Sequence, residues 1–230
     1  MGGDAERMPR VGALILAAGA SARYGQPKQF LRYEGQSLLR RAAEAAVGSG
    51  CDPVVVVLGA SAARCAAELR GLPVRVAANT AWREGMWTSL RAGLECLSAA
   101  APDAGGVAVM LCDQPLVSRH TIAALVRRYR ESGASIVASA YAGTLGVPAL
   151  FDRSLFGRLG SLPSQAGARG IIESGGDGVQ AIPFPEGSID IDTPRDYEVL
   201  QGLDATRPRF RRGGVGTGGA QQRLSRGRPR

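Results

Sequence analysis

Of the 28 basic residues in this 230-residue chain, 27 are arginine and one, Lys28, is lysine. Lys28 stands in LAAGASARYGQPKQFL, residues 16–31, directly after the apolar run Val11–Leu16. Ala17, Ala18 and Gly19 lack bulk, so backbone N–H groups there can approach an anion, and Arg23 and Lys28 can neutralise it. The stretch reads as a loop for a triphosphate. It is not a Walker A loop, since G-x-x-x-x-G-K-[ST] is absent, and it lacks the G-x-G-x-x-G dinucleotide fingerprint. A glycine turn with two solvated cations is the competing account. The lone lysine favours the phosphate loop. An ammonium is a compact point charge that can follow a phosphate as its geometry changes, whereas a guanidinium imposes a planar fork.

Such a loop needs a frame. Val11–Ala17 and the β-branched run Pro53–Leu58 (PVVVVL) read as buried strands, with further candidates at Val74–Ala77, Val107–Leu111, Ser135–Ala138 and Val179–Phe184. Alanine- and leucine-rich helical stretches lie between them at 37–48, 60–70, 86–100 and 118–131. Strand and helix in alternation predict a parallel α/β sheet, which binds ligands beyond the carboxyl ends of its strands. Two loops there are polar where a core strand stops: residues 16–28 after the first strand, and CDQP after Val107–Leu111. Asp190-Ile191-Asp192 sits just before a last helix at TPRDY, with Thr193 as N-cap and Pro194 at the first helical position.

Composition bounds the rest. Hydrophobic residues at 45% and charged residues at 21% are ordinary for a globular chain, and no stretch reaches the roughly 20 consecutive apolar residues of a membrane span. MGGDAERMPR does not resemble a secretory signal, so a cytoplasmic location is expected. Cys51, Cys65, Cys96 and Cys112 form no C-x-x-C pair, and with His120 as the only histidine they read as reduced, buried thiols rather than zinc ligands. Residues 205–230 carry eight arginines and no acid, whereas residues 1–204 hold 20 basic and 20 acidic residues. The net charge of +8 therefore belongs to the tail, and without an aromatic platform it argues against a nucleic-acid partner. The expected organisation is a flexible N-terminus (1–10), one domain (11–204) and a disordered Arg/Gly-rich tail (205–230).

The ordered segments LAAGASARYGQPKQFL, NTAWREGMWTSLRAG (79–93), CDQPL (112–116), GVPALF (146–151), GAR (167–169) and DIDTPRDY (190–197) resemble the MobA/MocA-like nucleotidyltransferases, in particular the molybdenum cofactor cytidylyltransferases. The resemblance implies a Rossmann-like three-layer α/β/α fold with a mostly parallel sheet, of the nucleotide-diphospho-sugar transferase type. It implies transfer of a nucleoside monophosphate from an NTP to an acceptor phosphate, with pyrophosphate released and Mg²⁺ as cofactor. Carried over by position, Leu16, Ala17, Ala18, Gly19, Ser21, Arg23, Lys28, Gly59, Ser89 and Asp113 would bind the nucleotide. Arg23 and Lys28 would be catalytic, Lys28 stabilising charge at the α-phosphate. Asp113 would hold the metal with a second carboxylate. On a strand end Asp190 and Asp192 would share one face, so their spacing does not choose between them; Asp192, nearer the helix start, is preferred.

In this family LAAG accompanies cytidylyl transfer and LAGG guanylyl transfer, so Ala18 points to CTP. Two departures fall on the acceptor side: Val147 stands where such enzymes commonly carry histidine, and SQAGAR (164–169) where GDKGAR is common. The implied partners are CTP, a molybdopterin-type acceptor and a molybdenum hydroxylase apoenzyme. A cofactor-binding chaperone of the same fold, or an enzyme using another acceptor or GTP, remains an alternative. Turn geometry accounts equally well for Gly59 and packing for Ser89, and His120 reads as a solvated or capping residue.

Overall fold

The computed structural model describes residues 8–161 and 167–206. The last helix runs to Thr206, two residues into the expected tail of 205–230; residues 207–230 of that tail, the first seven residues and the Ser164–Gln165 departure lie outside the described residues. In chain order the elements are β1 (Val11–Ala17), β2 (Arg32–Tyr33), β3 (Gln36–Ser37), α1 (Leu38–Gly48), β4 (Val54–Leu58), α2 (Ala62–Glu68), β5 (Arg75–Ala78), α3 (Met86–Ala100), β6 (Gly106–Leu111), α4 (Arg119–Ser132), β7 (Ile136–Tyr141), β8 (Thr144–Asp152), α5 (Phe156–Gly160), α6 (Gly167–Ser174), β9 (Val179–Pro183) and α7 (Pro194–Thr206).

Seven strands form one sheet in the order β5-β4-β1-β6-β8-β7-β9. Side-chain alternation splits its interior into two cores. Ala13, Ile15 and Ala17 of β1, with Val54, Val56 and Leu58 of β4, pack with Leu39 of α1, Cys65 of α2, and Ile122 and Leu125 of α4. Leu14 and Leu16, with Val55 and Val57, pack on the other face with Leu90, Leu94 and Leu97 of α3, Leu159 of α5 and Ile171 of α6. A sheet covered on both faces explains why its central strands read as unbroken apolar runs.

The sequence reading contains no strand at β8. β8 runs antiparallel between β6 and β7, whereas β1, β4, β5, β6 and the β7–β9 pair are parallel. Gly146 and Pro148 within it argue against a central strand, but the register between β7 and β8 shifts at Ala138/Ser139. There Ser139 Oγ donates to Pro148 O at 2.6 Å, so the proline's carbonyl is satisfied where the ladder is interrupted. Asp190 to Asp192 are likewise not a strand end; they lie in an irregular segment before α7. Ile191 there is fully buried with Leu31, Tyr33, Leu38 and Leu200, a small third cluster that ties α7 to the β2–β3 ribbon. Tyr197 of α7 strengthens the tie, donating its hydroxyl to Arg32 O at 2.7 Å.

The fit of α3 on the sheet turns on Gly93, where a Cβ would collide with Leu14 Cδ1 and come within 2.8 Å of Val57 Cγ2. Gly93→Ala is expected to destabilise the fold by roughly 1–3 kcal/mol through overpacking, outweighing the gain of about 1 kcal/mol in helix propensity. A urea-unfolding midpoint equal to or above wild type would contradict this packing account.

Candidate active site

β1 and β6 are parallel neighbours with Leu16 opposite Leu111, so the loops that follow them emerge side by side at one edge of the sheet. Between them and the start of α3 lies a cavity of about 260 Å³. Leu16, Ala17, Ala18, Gly19, Ser21, Lys28, Ser89 and Asp113 all line it. Ser21 adopts a left-handed backbone (φ 56°), an unfavourable conformation for a side chain with a Cβ. Its Oγ accepts the Lys28 N–H at 3.1 Å, which folds the loop back on itself.

The chemistry concentrates at the Lys28 ammonium. Nζ lies 2.8 Å from Asp113 Oδ2 and 2.9 Å from Asp192 Oδ1, with its side chain only 11% exposed. Arg23, largely in solvent, closes the group by reaching Asp192 Oδ2 at 2.8 Å. Burial alone would lower the Lys28 pKa, but the two carboxylates outweigh it and hold the group above the ordinary lysine value, so it stays charged. Asp192 is brought here by its neighbour: the buried Ile191 donates its N–H to Asp113 O at 3.0 Å, locking residue 192 beside residue 113. Asp190 is exposed and nearby. Partial burial, then Asp192 and Asp113, push its carboxyl pKa up.

Among the described residues Asp113 Oδ1 is buried without a hydrogen-bond partner, although Oδ2 of the same carboxylate holds Lys28. An anionic oxygen in that state calls for a cation, and two carboxylates that leave room for phosphate oxygens and water fit a hard divalent ion. Among the described residues no cluster of three or more metal-ligating side chains exists. The donor set suits an ion that shares its coordination with a phosphorylated ligand.

Opposite the loop stands the first turn of α3, whose N-cap Gly85 offers no side-chain cap. Gly85, Met86 and Ser89 face the cavity, so the positive end of a 15-residue helix points into it. Asn79, missed by the sequence reading, builds this wall. It is buried and donates Nδ2 to Thr88 Oγ1 (2.8 Å) and Ser89 Oγ (2.9 Å), while Oδ1 accepts the Ala81 N–H (3.0 Å). Gly59 does not line the cavity. A Cβ there would sit 2.8 Å from Ala18 O and from Trp82, so the glycine lets the loop after β1 and the Trp82 segment close on each other. His120 is exposed at the start of α4. Cys51, Cys65 and Cys112 are buried free thiols and Cys96 is half-buried; burial raises the Cys65 pKa to about 11.

The family is decided by a match to the MobA-like NTP transferase domain over residues 13–179. The chain belongs to that family. It is 30% identical over 207 residues to the purine catabolism protein PucB of Bacillus subtilis, covering 85% of this chain and 98% of PucB. It is 40% identical over 129 residues to the nicotine blue oxidoreductase of Paenarthrobacter nicotinovorans, spanning 56% of this chain but only 61% of that protein. It is 34% identical over 175 residues to the 2-C-methyl-D-erythritol 4-phosphate cytidylyltransferase of Thermobifida fusca, covering 72% and 68%. The crystal structure of Rv0371c from Mycobacterium tuberculosis matches with a TM-score of 0.69 at 32% identity, over 84% of this chain and 98% of that one. A second Rv0371c structure is a complex with manganese.

On this MobA-like frame a second cavity, about 230 Å³, adjoins the first and shares Leu16, Met86 and Leu111 with it. Its far wall is Tyr141, Leu145 and Val147 from the β7–β8 hairpin, and Ala168 and Arg169 from the start of α6. The Val147 departure and the GAR segment thus lie on one cavity wall. Among the described lining residues Arg169 is the only charged group.

Asn79→Ala would leave the Thr88 and Ser89 hydroxyls and the Ala81 N–H without their shared partner. A loss of about 1–3 kcal/mol in urea unfolding is expected, with increased amide exchange in the first turn of α3; wild-type exchange there would refute its bracing role.

Proposed function

We propose that the chain transfers CMP from CTP to a molybdopterin-type acceptor and releases pyrophosphate, with Mg²⁺ as cofactor. The observation that carries this reading is the meeting of Lys28, Asp113 and Asp192 at the mouth of a cavity backed by a small-residue loop. An acceptor phosphate oxygen attacks the α-phosphorus, a new P–O bond forms, and the α–β bridging P–O bond breaks to free pyrophosphate. Because the nucleophile is already an anion, no general base is needed. The protein's task is to hold two anions in line and offset the charge that builds up between them.

Each residue then has a defined part. The Ala17–Gly19 backbone takes the phosphates, Arg23 reaches in from solvent over their outer oxygens, and Lys28 moves from the carboxylates onto the α-phosphate oxygens. Asp113, through its unpaired Oδ1, and Asp192 would hold the divalent ion, which offsets phosphate charge when bound. Ser89, fixed by Asn79, faces the base. The reading of CTP rests on Ala18 and gains support from the similar cytidylyltransferase. The adjoining cavity, opening from the same three shared residues, is where an acceptor would approach the α-phosphate. Its apolar lining and Val147 favour a second reading, the same transfer to an acceptor less polar than a pterin.

Incubating the purified chain with each NTP, Mg²⁺ and molybdenum cofactor separates these readings. Pyrophosphate release with CTP is expected. Release only with a different acceptor supports the second reading, and no release with any NTP despite tight cofactor binding identifies a carrier instead. Lys28→Met should lower turnover at least 100-fold, the scale of losing one preorganised charge in a transition state. The same variant frees both carboxylates of their resident ammonium. Its affinity for Mn²⁺ without nucleotide, measured by electron paramagnetic resonance, should therefore rise roughly tenfold. Unchanged Mn²⁺ affinity would show that metal and ammonium do not compete for those oxygens.

A further inference from the structure

Gln29 is 2% exposed, follows Lys28 directly, and borders the nucleotide cavity. A carboxamide has two N–H donors, and here both go to one loop: Nε2 donates to Ala17 O at 3.0 Å and to Gly19 O at 2.7 Å. The intervening carbonyl, Ala18 O, accepts the Ala60 N–H at 2.9 Å from the loop after β4. Three successive carbonyls are thereby pinned. In a planar trans peptide the N–H points opposite to the C=O, so pinning Ala17 O and Gly19 O turns the N–H groups of Ala18 and Ala20 away from Gln29. Pinning Ala18 O likewise turns the Gly19 N–H away from Ala60.

We infer that Gln29 is a positioning residue for the phosphate-binding loop. Resting on the nucleotide reading above, it aims the Ala18 and Ala20 N–H groups at the triphosphate and couples them to Lys28. Residues 28 and 29 grip the loop at three points, since the Lys28 N–H also bonds Ser21 Oγ. Movement of the ammonium and of the loop donors is therefore joined. The residue type is required: glutamate would face both carbonyls with negative oxygens, and methionine of similar length has no donor. Among the described residues Gln29 Oε1 is buried without a partner, so the fold leaves an acceptor unmatched there while both donors stay on the loop.

The test compares wild type and Gln29→Met, each confirmed folded by circular dichroism, for calorimetric binding of sodium tripolyphosphate and of cytidine. The inference expects tripolyphosphate affinity to fall about tenfold with cytidine affinity unchanged. In wild-type protein, ¹⁵N NMR titration with tripolyphosphate should move the Ala18 and Ala20 amide signals, a readout that does not depend on the variant folding. Equal tripolyphosphate binding by both proteins, parallel loss of both ligands, or unmoved Ala18 and Ala20 signals while Lys28 shifts would each overturn the role of Gln29. Failure of the wild-type protein to bind tripolyphosphate would overturn the nucleotide reading and this inference with it.

Discussion

A single ammonium between two carboxylates joins parts of the chain that are 85 and 164 residues apart. Taking these charges out of water is unfavourable, and their attraction compensates only where the geometry is held by something else. Here it is held on three sides. The β1–β6 ladder delivers Asp113, the Ser21 and Gln29 contacts deliver Lys28, and the buried Ile191 delivers Asp192. The fold thus keeps one ammonium and two carboxylates together, at 2.8 and 2.9 Å.

That arrangement explains the singular lysine. A guanidinium would meet two carboxylates through a planar fork, whereas an ammonium fits between them as a compact point charge, which is what the proposed exchange for phosphate oxygens requires. Arg23, 80% exposed, holds the outer oxygen of Asp192 and has the freedom of a surface group. The two cations thus differ in freedom: one is buried and held by two carboxylates, the other is a surface group with one.

Much of this was legible in the sequence, for identifiable reasons. The strands at Val11–Ala17 and Val54–Leu58 announced themselves because a sheet buried on both faces tolerates only apolar side chains, and α3 began and ended where its pattern did. The two edge loops stood out as polar residues where apolar strands stop. β8 was hidden by Gly146 and Pro148, whose compatibility with a strand depends on a register shift and on Ser139, nine residues from Pro148. Asn79 and Gln29 were hidden because glutamine and asparagine carry no local signature of a through-space role. Gly59 has a packing role rather than a cavity-lining one, a distinction that only contact distances reveal.

The reversed direction of β8 changes what the edge of the sheet is made of. Parallel strands offer an edge only their carboxyl ends, but an antiparallel strand among them offers its beginning, so residues 144–147 reach the rim occupied by the loops after β1 and β6. The hairpin tip that carries Tyr141 and Val147 contributes none of the charged groups that meet at Lys28. The charge assembly at Lys28 and the wall built by Tyr141 and Val147 are thus separate parts of one rim.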